Sequence, residues 1–260
     1  MKDFTTKNKQ KLQMLFAILF WIAIWQGASM LIGQSLLLAS PFSAFTALLR
    51  LFTTNEFWLS VAHSFLRIVS GFLLGLIVGL LLAVFSAAAS MVRILLAPFM
   101  LTVRSVPVAS FIILALLWLK NAGNLAVLIS FLMVLPVVYG NVLEGIINTD
   151  KKLLQMAKVY NMPFYKRLLY IYLPDVQPFF VSACTAALGL CWKSGVAAEV
   201  IGITENSIGG GLYNAKLYFA TDEVLAWTAV IVLLSFAFER IFLAAIKAIY
   251  AYIKQRSVNI

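Results

Sequence analysis

Charge is scarce in this chain of 260 residues: Asp, Glu, Lys and Arg make up 12% of it and hydrophobic residues 63%. Soluble domains carry about 25% charged residues, so this composition, with a mean hydropathy of +0.97, excludes an ordinary soluble fold and points to a membrane protein. Histidine is also scarce. His63 is the single one, and the 10 acidic residues are scattered, so no region offers the clustered His, Cys or carboxylate ligands of a metal-dependent membrane enzyme. The two cysteines, Cys184 and Cys191, would stand about 10 Å apart on a helix. That is beyond disulfide reach and leaves them as small packing residues.

A nucleotide-binding phosphate loop is missing too. Lys193-Ser194 is the one place where Lys precedes Ser or Thr, and Trp192 stands where the glycine of G-x-x-x-x-G-K-[ST] is needed. The chain is therefore not expected to hydrolyse ATP itself. Internal repeats and low-complexity tracts are absent from the sequence as well.

What is present is a series of long apolar runs at 12–33, 58–89, 94–119, 125–147, 176–203 and 224–250, each close to the roughly 20 residues needed to cross a bilayer. The first is too long for the core of a secretory signal and reads as a retained span. The second carries Gly71, Gly75 and Gly79 at four-residue spacing, a face that lets another helix come close in lipid. The third is interrupted by Pro98, Arg104 and Pro107; its halves are too short to cross alone, which predicts one kinked or broken span. Broken backbone at that depth requires cover from protein or a water-filled cavity. The expected fold is all-α and polytopic, with about six transmembrane helices: a tail over 1–11, then one membrane domain over 12–260.

Cationic residues set the direction of such spans. With the N-terminus in the cytoplasm, Lys2, Lys7, Lys9, Lys11, Arg93, Lys151, Lys152, Lys158, Lys166, Arg167, Lys247, Lys254 and Arg256 fall on that side, and only Arg50, Lys120 and Lys216 fall outside. Both termini are expected in the cytoplasm. The net charge of +10 then reflects topology and implies no nucleic-acid partner.

Between the fourth and fifth runs lies a polar segment, 149–174, with helix punctuation. Thr149 or Asp150 offers an N-cap, Asn161 suits the left-handed residue that ends a helix, Pro163 suits the first turn of a second helix, and Leu173-Pro174 would close that second helix. This is a helix-turn-helix on the cytoplasmic side, more elaborate than a plain connector, and it has the character of a docking knob.

The segment reads Q-M-A-x3-N-x9-I-Y-L-P from Gln155 to Pro174. It resembles the E-A-A-x3-G-x9-I-x-L-P loop of the permease subunits of binding-protein-dependent ABC importers. Ala157, Ile171, Leu173 and Pro174 match in spacing; Gln155, Met156 and Asn161 depart from Glu, Ala and Gly. The stretches SPFSAFTALLRL, RSVPVASFIILALLWL and WKSGVAAEVIG are similar to the nitrate, sulfonate and taurine branch of that family, so the resemblance covers most of the chain from about residue 40 to about 242.

The resemblance implies a permease of the bacterial cytoplasmic membrane that moves a small anionic or heterocyclic solute. Its implied partners are ABC ATPase subunits that bind ATP and Mg, an extracytoplasmic solute-binding protein and a second permease copy, with no cofactor on this chain. Gln155, Met156, Ala157, Tyr160, Asn161, Ile171, Leu173 and Pro174 would form the ATPase-coupling surface. The alternative is an ion-coupled secondary transporter, because Arg104, Lys193, Glu199 and Glu239 lie inside apolar runs, where charge is costly and usually functional. Such carriers often contain inverted repeats and have no use for a docking knob.

Arg104, Lys193 and Glu199 are candidates for the translocation path. Lys193 either lines the path or pairs with an acid such as Glu199 or Glu239. Glu199 lies about 120° round the helix from it, so a direct bond within that helix is unfavourable.

The charge asymmetry gives a first prediction. Cysteines placed at Lys2, Lys152 and Lys254 should react with an impermeant thiol reagent only from the cytoplasmic side, and one at Lys216 only from outside; modification at Lys152 from outside would overturn the scheme.

Overall fold

The computed structural model describes residues 2–119 and 122–258, which are almost entirely helical. Lys120, counted above as an outer charge, lies outside the described residues. The elements in order are α1 (Lys2–Ile32), α2 (Pro41–Phe52), α3 (Asn55–Ala88), α4 (Ser90–Ser105), α5 (Val108–Trp118), α6 (Gly123–Ile147), α7 (Lys151–Val159), α8 (Phe164–Arg167), a π-helical turn over Leu168–Tyr172, α9 (Leu173–Ile201), α10 (Ile208–Leu217) and α11 (Thr221–Val258). Helix α1 begins at Lys2 and runs through the 1–11 segment into the first apolar run.

Five of these helices are long and apolar enough to cross a membrane: α1 from Leu12, α3, α6, the helix over Phe164–Ile201, and α11. The core is built by α3, α6 and α9, whose shared interior holds Ile68, Phe72, Val134, Val138, Cys184, Leu188 and Trp192. Phe238 and Phe242 of α11 close one side of it with edge-on contacts to Phe65 and Phe72.

The glycines of α3 face α6, as the spacing led one to expect. A Cβ on Gly71 would lie 2.7 Å from Cβ of Ser130, one on Gly75 2.8 Å from Cβ of Val134, and one on Gly79 3.0 Å from Cβ of Val138. Those pairings rise together in number, so α3 and α6 run parallel. Helix α9 runs antiparallel to both: Gly145 meets Phe179 near one end and Gly202 meets Leu125 near the other.

This arrangement decides the nature of the third apolar run. Two parallel spans require the intervening chain to return across the membrane, and that chain is α4 and α5, bent by 104° at Val106-Pro107. Pro107 has no N–H to donate and biases the preceding residue to extended backbone, and Val106 has ψ 132°. With 11 residues, α5 is only about 16 Å long. The pair together therefore forms one broken span, the sixth.

The 149–174 segment departs from expectation at its second half. Helix α7 is capped as read: the Asp150 carboxylate accepts from the Lys152 N–H at 2.8 Å. Asn161 has φ 49°, and the N–H groups of Met162 and Asn161 donate to the carbonyls of Ala157 and Lys158 at 2.8 and 3.1 Å, the paired bonds of a Schellman ending. Pro163 sits just ahead of α8. Leu173-Pro174, however, closes nothing, because α8 passes through the π-helical turn into α9 and hence into the fifth span. Leu173 donates to the Leu168 carbonyl five residues back. A wider turn relieves the clash that a proline ring makes with the carbonyl four residues before it, so the helix survives Pro174.

Close approach at the glycine face gives a second prediction. Gly71→Ala should destabilise the protein by about 1–3 kcal/mol, as overpacking does, and lower its melting temperature in detergent. Gly189→Ala, inside α9 where a Cβ meets nothing within 4 Å, should leave it unchanged or raise it slightly, as alanine favours a helix over glycine by about 0.5–1 kcal/mol.

Candidate functional site

Two regions carry the chemistry: the 149–172 projection at one end of the bundle, and the intramembrane charges. The projection is held to the body by its own apolar residues. Ala157 is 1% exposed and Ile171 4%, so both are packed within this chain. Apart from Ala157 and the half-buried Leu154, the α7 segment is uncovered: Leu153, Gln155, Met156, Val159 and Tyr160 are exposed, Tyr160 at 76%. Phe164, Tyr165 and Leu168 continue this exposed surface along the second helix.

Of the residues matched to the importer loop, Gln155, Met156, Tyr160, Asn161 and Pro174 are thus exposed and Leu173 is half-buried. Ala157 and Ile171 do not contribute side chains to an outer surface. They set the position of α7, and the open helix face beside them is the surface that remains available.

The intramembrane charges separate into three environments. Arg104, in the last turn of α4, is exposed and donates a hydrogen bond to the carbonyl of Pro136 in α6. Gly140, one turn on, leaves the space for the guanidinium. Arg104 and Arg93 also flank a groove of about 260 Å³ between α4 and α6, over Met100, Tyr139 and Leu143. Eleven residues apart, the two arginines share one face of α4, so this groove is electropositive along its length.

Lys193 lies on an exposed strip of α9 with Ser182, Thr185, Ala186 and Leu190. Among the described residues it has no salt bridge, so the pairing with Glu199 or Glu239 weighed from the sequence is not formed. A lone ammonium within a span costs roughly 2.5 kcal/mol or more against hydrocarbon. Its exposed strip must therefore face water or protein and not lipid tails.

Glu199 is a different case from its role as a path candidate. Its side chain is fully enclosed and lines no surface. One oxygen, Oε2, accepts from the Ser64 hydroxyl at 2.7 Å and from the Gly209 N–H at 3.1 Å. The other, Oε1, lies 3.8 Å from Nη1 of Arg67. Glu199 thereby joins α9, α3 and α10. Ser64, Arg67 and Gly209 are the residues of this cluster that sequence reasoning did not single out; the only signal available was that an acid deep in a span needs partners on other helices.

The opposite end of the bundle from the projection carries α2, α10 and the start of α11. Arg50 of α2 bonds Glu223 of α11 at 2.5 Å, and the Thr221 hydroxyl donates to the Leu36 carbonyl at 2.6 Å. A pocket of about 360 Å³ opens there among Glu56, Phe57, Ser60, Glu205, Asn214 and Trp227.

Residues 71–256 match the family model described as binding-protein-dependent transport system inner membrane component. The chain is similar to the putative aliphatic sulfonates transport permease protein of Escherichia coli strain K12, 30% identical over 205 residues that cover 78% of each chain. The corresponding Bacillus subtilis strain 168 protein is 26% identical over 206 residues, 79% of this chain and 74% of its own. The taurine transport system permease protein of Escherichia coli strain K12 is 25% identical over 220 residues, 83% of this chain and 80% of its own. With most of its length matched and its spans and broken helix in place, the chain belongs to the family of binding-protein-dependent transport system inner membrane components, the multi-pass permeases of ABC importers.

Proposed function

We propose that this chain is the pore-forming half of an ATP-driven importer for a small anionic solute. Two copies stand side by side, ATPase subunits dock on the exposed face of α7, and a solute-binding protein delivers cargo at the α10 end. The observation that supports this reading most is the uncovered face of α7. Gln155, Met156, Val159 and Tyr160 stand exposed on a segment in which Ala157 is buried against the body, as is Ile171 in the helix that follows. Apolar and aromatic side chains held out on a rigid, water-side helix suit a protein partner.

Because α8 continues into α9 through the π-helical turn, force applied at the projection reaches a core span directly. ATP and Mg are held by the partner, and the different affinities of ATP for its open and closed forms shift the permease between its states. Both chain termini and the projection lie in the cytoplasm on the charge count.

The anionic class of the cargo is supported by two features. Cations stand exposed at Arg104 and Lys193, with Arg93 continuing the groove on α4. The relatives named above are permeases for aliphatic sulfonates and taurine. The solute-binding protein selects among such solutes, while the permease needs only a path that tolerates negative charge.

The test is reconstitution of the permease with an ABC ATPase and a solute-binding protein from the same organism. Met156→Asp combined with Tyr160→Ala should leave the permease folded yet reduce ATPase co-purification and ATP-driven uptake by about tenfold or more, the loss of one or two buried interface anchors. Ala157→Asp should act differently and lower the stability of the permease itself, since it places an unpaired charge inside the chain. Uptake that proceeds on an ion gradient with no ATPase present would favour the secondary-transporter reading.

Lys193→Met gives a further prediction. It removes an exposed charge that has no salt bridge among the described residues, so melting temperature and ATPase docking should hold while uptake of a sulfonate falls severalfold. Unchanged sulfonate uptake would remove Lys193 from the path.

A further inference from the structure

Helix α10 follows α9 at the end of the bundle remote from α7, and its first turn is fastened by side chains from three places. The Ile208 N–H donates to the Ser64 hydroxyl at 2.8 Å, the Gly209 N–H to Oε2 of Glu199 at 3.1 Å, and the Gly210 N–H to the Ser207 hydroxyl at 2.8 Å. The contact is close enough to require glycine: a Cβ on Gly209 would stand 2.3 Å from Cβ of Glu199. An acid carboxylate thus occupies the donor end of α10, where its charge is favoured.

The other half of that carboxylate is unsatisfied. Oε1 of Glu199 and Nη1 of Arg67 are both buried and neither has a hydrogen bond, although they face each other across 3.8 Å. A charge-assisted bond forms at about 2.7–2.9 Å. A buried carboxylate and a half-buried guanidinium therefore stand roughly 1 Å short of the bond they could make, with Ser64 and Gly209 holding the carboxylate through its other oxygen.

The segments on both sides of α10 add a second, independent observation. Ile203 and Asn206 before it have φ 48° and 47°, and Phe219 after it has φ 54°. Left-handed backbone is uncommon outside glycine and strained for a β-branched residue such as Ile203. The pocket of about 360 Å³ beside α10, lined by Ser207, Gly210, Gly211, Asn214 and Trp227, leaves open volume on one flank of the helix.

We propose that Glu199 and Arg67 are positioning residues for transport, which hold α10 on the core in one state and release it in another by an exchange of carboxylate partners. In the state described, Glu199 caps α10 and stands short of Arg67. When α10 swings on the backbone at 203–206 and 219, Glu199 loses the Gly209 N–H and closes on Arg67, and the new bond offsets the lost one. The exchange keeps the two positions close in free energy, as a two-state element requires. α10 is then a gate at the mouth where solute enters, and it is tied to α3 and α9 of the core that α7 drives from the other end.

This inference rests on the importer reading, and the experiment separates the two. The wild-type permease, ATPase and binding protein are reconstituted in proteoliposomes, and probes are placed at Asn214→Cys on α10 and His63→Cys on α3; both positions are exposed, and the native cysteines are buried. The distance between the probes is expected to change between nucleotide-free and ATP-bound states. Glu199→Gln keeps an acceptor for Ser64 and Gly209 but forms no ion pair with Arg67. It is expected to make the probe distance the same with and without ATP and to lower uptake tenfold or more, with melting temperature and ATPase co-purification unchanged.

Arg67→Met should do the same, and the double variant should transport no worse than the weaker single one. Full uptake by Glu199→Gln, or a wild-type probe distance that is the same in both states, overturns the proposal. The wild-type distance decides it even where a variant does not fold. Absence of any ATP-driven uptake by the wild type refutes the importer reading instead, and the gate with it.

Discussion

The close contact between α3 and α6 is the constraint on which the rest of this molecule depends. In lipid no hydrophobic force draws one helix to another, so association relies on backbones coming near enough for dense van der Waals packing. Gly71, Gly75 and Gly79 supply that along three turns, against Ser130, Val134 and Val138. Because the contact is parallel, everything between the two helices must recross the membrane, and the chain does so as the broken pair α4 and α5. α9 then fills the remaining side of the core in the antiparallel sense, which sets the projection at one end and α10 at the other.

That frame also explains where the buried and half-buried charges lie. A broken span ends with polar backbone and polar side chains at depth, and Arg104 meets a carbonyl of α6 there. Glu199 is satisfied in part by a helix end and a hydroxyl, and only loosely by Arg67. Lys193 has no ion-pair partner among the described residues, and its strip on α9 is the polar side of an otherwise apolar helix. One cation anchors a break, one acid ties three helices, and one cation is presented outward: three intramembrane charges with three different physical roles.

The projection connects to this core through helix geometry and not through a flexible linker. α7 ends in a Schellman motif at Asn161, which fixes the turn, and the second helix is the first part of the fifth span. Asn at the left-handed position is costlier than the glycine of the resembled motif, yet it makes the same turn. A rigid turn followed by an unbroken helix passes a displacement along its axis, which a loose loop would absorb.

The sequence by itself determined the membrane class, the approximate limits of the six apolar runs, the glycine face of α3, an interrupted third span, a cap for α7 at Thr149 or Asp150, its end at Asn161, and the family resemblance. These are local or periodic signals: hydropathy over about 20 residues, four-residue spacing, and single residues that permit or forbid a backbone conformation. Only the tertiary structure decided that α3 and α6 pack on each other, that Ala157 is buried in the chain, that Pro174 is passed by a widened turn, and that Glu199 belongs to Ser64, Gly209 and Arg67 and not to Lys193. Each of those depends on which helix lies beside which, and a pairing between residues 135 positions apart, such as Ser64 and Glu199, leaves no periodic trace in one sequence.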